Sequence, residues 1–153
     1  MVKKTLLLLI FISTISCGYE PILSKKKISS YNFFISKIVF EGDKVINLKV
    51  KEKLNNYRSN KADKKFTLKI KSTSTKIILA KNLKGDPTNF KNVTTLHVDV
   101  LVEDNFKRKL KFEASFDYNN NKNKFDLKNY EKDIKQNLAE TLTNKLIFKL
   151  SNI

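Results

Sequence analysis

Apolar residues in this chain change spacing several times, and each change marks an element. "YNFFISKIVFEG" is rich in aromatic and β-branched residues and stops at Gly42, which predicts a strand from about Phe33 to Phe40. Ile46, Val50, Leu54 and Tyr57 then recur at spacings of 4, 4 and 3, the period of one helix face, with Asp43 placed to cap it. From Lys65 the period returns to 2. Phe66, Leu68 and Ile70 alternate with Thr67, Lys69 and Lys71, and after a Ser/Thr run apolar character resumes from Ile77 to Ala80. "NLKGDP" then supplies a turn.

Leu96, Val98, Val100 and Val102 alternate with His97, Asp99, Leu101 and Glu103. Leu110, Phe112, Ala114, Phe116 and Tyr118 repeat the pattern beyond "DNFKR", which is short enough for a hairpin. Strands that alternate this regularly have one dry face and one wet face, as antiparallel sheets do. After an Asn/Lys loop at 119–124, Leu127, Tyr130, Ile134, Leu138, Leu142, Leu146 and Leu150 fall at spacings of 3 or 4, predicting a long helix from about Asp126. Glu131 and Asp133 in its early turns and Lys145 and Lys149 near its end suit the helix dipole. The sum is an α+β fold of order β-α-β-β-β-α: two layers, a four-stranded, mainly antiparallel sheet with two helices packed on one face.

The amino terminus follows other rules. Lys3 and Lys4 precede an apolar run from Leu6 to Ile12. A bilayer-spanning helix needs roughly 20 apolar residues and a signal-peptide core about 7–15, so the run fits the second class. Ser16 and Cys17 follow, and the arrangement resembles a bacterial lipoprotein signal, in which the cysteine becomes the lipid-carrying first residue of the mature chain. Thr14 departs from the leucine such signals favour, while Ile15 and Ser16 fit. Without acylation, the single cysteine would be an unpaired thiol in an oxidising compartment. The expected organisation is a signal peptide at 1–16, a lipidated terminus and tether at 17–32 carrying Pro21 and Lys25 to Lys27, and one domain at 33–153. Several acyl chains on Cys17 would hold the protein on a membrane surface without crossing it.

The formal net charge is +16, and removal of Lys3 and Lys4 with the signal leaves +14. Such a charge points to nucleic acid, anionic lipid or an acidic polymer, and export removes nucleic acid from that set. Almost every cation is lysine, Arg58 and Arg108 being the exceptions, and asparagine is abundant, so part of the excess reflects a coding bias toward Lys and Asn. A phosphate-reading surface more often uses the planar fork of arginine.

Catalytic chemistry has little to work with. His97 is the one histidine and sits in mid-strand on the wet face; with Cys17 acylated, a Cys-His pair has no free thiol, and a zinc site would have to be built from one histidine and carboxylates. Gly18, Gly42 and Gly85 form no phosphate-cradling loop. Glu103 and Asp104 read as turn residues. The expectation is a protein that is not an enzyme and carries no cofactor or metal.

"CGYEPIL", with Cys17, Gly18, Tyr19 and Pro21, resembles the start of mature LptE-type lipoproteins, the lipopolysaccharide-assembly family of the outer membrane. The element order and the ending "FDYNNNKNKFDLKNYEKDIKQNLAETLTNKLIFKL", an aromatic-rich strand before a long helix, are similar to that family across the mature chain. The resemblance implies an outer-membrane lipoprotein on the periplasmic face that plugs a large β-barrel translocon (LptD-type), assists its assembly and contacts lipopolysaccharide. It also implies contact through basic residues of two loops, which correspond here to Lys81 and Lys84 in the loop between the second and third strands, and Lys124 and Lys128 in the loop before the last helix. The alternative left open is a lipoprotein that serves as adaptor in another envelope transport complex.

Overall fold

A computed structural model describes residues 33–58, 62–102 and 105–153. The signal at 1–16, Cys17 and the tether at 17–32 lie outside the described residues, as do Glu103 and Asp104. The elements are β1 (Phe33–Gly42), α1 (Lys44–Asn55), β2 (Lys64–Lys81), β3 (Pro87–Val102), β4 (Asn105–Asn119) and α2 (Lys124–Leu150), in one sheet of order β1-β2-β3-β4. This is the α+β arrangement that the periodicity predicts.

β1 runs parallel to β2, and the other two pairs are antiparallel. A parallel pair requires a crossover, and α1 supplies it. Asp43 caps α1 through Oδ1, which accepts from the amides of Val45 at 2.9 Å and Ile46 at 3.2 Å. Asn123 caps α2 by accepting from Phe125 and Asp126, which is why that helix starts at Lys124, ahead of its apolar stripe.

The strands are longer than the sequence pattern suggests. β2 has 18 residues and passes unbroken through the Ser/Thr run; β3 has 16 and starts at Pro87 rather than near Val93. β4 begins at Asn105, which pairs with Val102, so the connection between β3 and β4 is tighter than "DNFKR".

Two apolar clusters sit between sheet and helices. The larger joins β1, β2, β3 and both helices, with Ile35, Ile46, Val50, Leu54, Leu68, Leu96, Val100, Leu142 and Leu146 wholly buried. Each such side chain contributes about 1.5–3 kcal/mol by leaving water. The smaller comprises Phe90, Tyr118, Leu127, Ile134 and Leu138, where α2 alone covers β3 and β4. Along β3 the two are separated by buried Asn92 and Thr94. Asn92 Oδ1 accepts from Ser74 Oγ at 3.0 Å and from Thr94 Oγ1 at 3.2 Å, so these polar groups are satisfied inside the layer.

β1 ends where the backbone demands it. Gly42 has φ +100°, and a Cβ there would fall 1.9 Å from the Ser72 carbonyl oxygen. The Ser72 hydroxyl donates to Asn47 Oδ1 at 2.7 Å, and the Asp43 amide donates to the Ser72 carbonyl at 3.2 Å. The chain thus leaves the sheet and turns into α1 over its inner face. Beyond Ser72, no strand among the described residues lies beside β2 on that edge.

Candidate functional site

The part of the sheet beyond Gly42 leads to the end of the molecule where the candidate lysines lie. At about 3.3 Å per residue, β2 is on the order of 60 Å long, and its outer half carries the β2–β3 hairpin away from α1. Lys81 pairs with Pro87 at the last rung, and Asn119 reaches the same level through Asn89. Asn120 ties the β4–α2 loop to the base of β3, donating from its amide to Thr88 at 2.7 Å and from Nδ2 to Pro87 at 2.7 Å. The hairpin tip and the start of α2 therefore share one end of the molecule.

Lys81, Lys84, Lys124 and Lys128 all fall at that end and are exposed, but only Lys84 lies in a loop: Lys81 is the last residue of β2, and Lys124 and Lys128 are in the first turns of α2, which starts early because Asn123 caps it. Among the described residues none of the four forms an ion pair. Lys128 also lines a shallow groove of about 390 Å³ with Val45, Asn129, Glu131, Lys132 and Lys135.

Sequence reasoning missed the group that holds this end together. Glu131 Oε1 accepts from Lys76 Nζ at 2.5 Å and from the Tyr118 hydroxyl at 2.9 Å. Burial, followed by the hydrogen bond to Glu131 and its negative charge, pushes the Tyr118 phenol above its ordinary value. Lys76 Nζ also lies 3.7 Å from the centre of the Phe90 ring, which packs on Tyr118 at 5.6 Å. Lys76 and Glu131 are 55 residues apart, a separation that no local pattern reveals.

The turn itself presents an apolar residue. Asn82 Oδ1 accepts from the amides of Lys84 and Asp86, both at 2.9 Å, and Asn82 Nδ2 donates to Asp86 Oδ2 at 3.2 Å. Gly85, at φ +85°, completes the turn by donating to the Asn82 carbonyl at 3.0 Å. Leu83 at the apex is fully exposed, and Ile77, Ile78 and Leu79 on β2 are 43–48% exposed. Three consecutive apolar residues break a period-2 pattern, and that break was the available signal for an apolar outer surface here.

The sheet face turned away from the helices is polar and cationic. Lys71, His97 and Lys111 lie directly across from one another on β2, β3 and β4, and Lys69, Asp99 and Lys109 form the next rung. Lys71 pairs with Glu41 at 2.9 Å and Lys111 with Glu113 at 3.2 Å. His97 thus stands exposed between two lysines. Among the described residues no three His, Cys, Asp or Glu side chains come together to hold a metal, and no helix is long and apolar enough to cross a membrane.

The whole β-α-β-β-β-α arrangement has counterparts among solved structures of bacterial lipoproteins. Rare lipoprotein B from Shewanella oneidensis aligns with a TM-score of 0.56 at 12% identity, covering 76% of this chain and 97% of that one. The minor lipoprotein from Acinetobacter baumannii gives 0.54 at 13% identity over 76% of this chain and 91% of that one. Lipoprotein B from Nitrosomonas europaea gives 0.52 at 11% identity over 88% and 91%. No protein-family model matches the chain, and no curated protein matches it by sequence. At these identities the likeness is one of fold: a two-layer α+β domain of the kind found in bacterial lipoproteins.

Proposed function

We propose that this chain is an outer-membrane lipoprotein, anchored through Cys17 on the periplasmic face, that fills and helps assemble the β-barrel translocon for lipopolysaccharide. The observation that carries this reading is the sharing of the complete fold with rare lipoprotein B, in a chain whose sequence places an acylatable Cys17 and the segment "CGYEPIL" behind a signal-type apolar run. The physics supports it. A long sheet with one dry, helix-covered face and one polar, cationic face suits the polar interior of a large barrel. Lys81, Lys84, Lys124 and Lys128, gathered at one end, suit the phosphates of lipid A and core sugar as charge-assisted partners. No step calls for catalysis, a cofactor or nucleic acid.

The test is depletion in the native host, scoring surface lipopolysaccharide and the folded state of the partner barrel. Both fall if the reading holds, and a large barrel protein co-purifies with the chain in detergent. Unchanged levels of both, with a different envelope complex retained, transfer the protein to the adaptor role.

A further inference from the structure

The apex of the β2–β3 hairpin has a feature that a barrel plug does not require. Leu83 projects fully into water from a turn that cannot fold it back, because Asn82, Lys84, Gly85 and Asp86 lock the backbone through their hydrogen bonds. Phe125, 71% exposed at the start of α2, stands at the same end. A singly exposed apolar side chain is ordinary, but one at the tip of a protruding hairpin with lysines on both sides combines an apolar point with a cationic collar. Its shape is convex, a protruding hairpin, whereas small-molecule sites are concave. Its rim is cationic on balance: Lys81 and Lys84 flank Leu83 and Lys122 and Lys124 precede Phe125, against Asp86, which is hydrogen-bonded to Asn82, and Asp126 in the first turn of α2.

We propose that this apex is a membrane-docking tip that seats in the headgroup region of an anionic phospholipid leaflet. Leu83 enters the acyl boundary while the lysine stems lie along it and keep their ammonium groups among the phosphates. Lysine suits such a site, since a mobile headgroup layer asks for point charges rather than the fixed fork that arginine offers to a built phosphate pocket. The proposal does not depend on the lipopolysaccharide reading, because a phospholipid leaflet meets all of its requirements.

The chain contains no tryptophan, so Leu83→Trp places a single reporter at the apex. Phe148→Trp, at the other end of α2 and 66% exposed, is the control. Each full-length acylated variant is reconstituted into vesicles of phosphatidylcholine, of phosphatidylcholine with phosphatidylglycerol, and of phosphatidylcholine with lipid A, each with acyl-brominated lipid as quencher. Expected is a blue-shifted, quenched emission from position 83 in phosphatidylglycerol vesicles, little change in phosphatidylcholine alone, and an unshifted signal from position 148. Adding Lys81→Gln and Lys84→Gln lowers the ratio of inserted to free tip by roughly 30-fold. The proposal is overturned if position 83 stays water-like with phosphatidylglycerol, or if both positions shift alike. A response confined to lipid A also overturns it, and assigns the tip to the glycolipid of the proposed function instead.

Discussion

Among the described residues, the sheet between Phe33 and Ser72 has four strands with two helices over it, and beyond Ser72 it has three strands under the amino-terminal half of α2. The first region is closed by apolar burial from both helices and by Lys53–Glu140 at 2.5 Å and Lys135–Asp43 at 2.8 Å, which join α2 to α1 and its cap. The second has a small ring-rich cluster, the polar links Ser74–Asn92–Thr94 and Lys76–Glu131–Tyr118, and an apolar apex in water. The compact end holds most of the buried core, and the outer end carries the four candidate lysines and the exposed apex.

The largest effect separates the two ends directly. Leu142, wholly buried in the main cluster, should cost about 2–5 kcal/mol of global stability when changed to Ala. Leu127→Ala in the outer cluster should mainly lower local opening energies, raising amide exchange at 112–119 and 124–134 while 44–55 stays protected. Equal losses of global stability in urea, with exchange rising everywhere, would mean the sheet is one cooperative unit and the division is wrong.

The border between the regions is the next place to press. Gly42→Ala puts a side chain on a residue at φ +100° and against the Ser72 carbonyl, with an expected cost of about 1–3 kcal/mol from the backbone conformation alone. The damage should appear where β1 joins β2 and at the start of α1, leaving the Lys76–Glu131–Tyr118 link intact. A Gly42→Ala protein as stable as the parent would show that β1 can leave the sheet in another way.

The compact end was the more legible in the sequence, for a physical reason. Ile46, Val50 and Leu54 on α1 and Leu142, Leu146 and Leu150 on α2 bury one face each, and a single buried face writes a clear period. Phe66, Leu68 and Ile70 do the same for a strand. Parallel pairing of β1 with β2 was not legible, because alternation records which face is dry and not which strand lies alongside. The Ser/Thr run looked like an interruption because Ser74, Asn92 and Thr94 have the composition of a loop yet satisfy one another inside the sheet. At the candidate site, lysine is too common to be diagnostic, so Lys81, Lys84, Lys124 and Lys128 were reached by element rather than by motif. Leu83 carries no signal of its own in the sequence, because Gly85 and Asp86 mark the segment as a turn and turn chemistry says nothing about what the apex displays.

The smallest effect is set by pH and belongs to the compact end. Burial pushes the Asp43 carboxyl up, but the hydrogen bond from Lys135, the amides of Ile46 and Val45 and the Lys135 charge together hold it below its ordinary 3.8. Glu140 is held below its ordinary 4.5 by the hydrogen bond from Lys53, against burial, with the charges of Lys53 and Lys49 adding to it. Both groups bind a proton less readily when folded, so the unfolded chain takes up more protons as the pH falls through this range. Their contribution is present in full above the ordinary values and is lost as pH drops through the lowered ones. Stability should therefore be level above about pH 5 and decline below it. Asp43→Asn with Glu140→Gln should flatten that decline by less than about 1 kcal/mol, because the Glu140 side chain is 36% exposed and solvent screens its pairs. Amide exchange in α1 followed from pH 6 to pH 3 would register the change, and identical slopes in parent and variant would leave apolar packing alone as the tie between the helices.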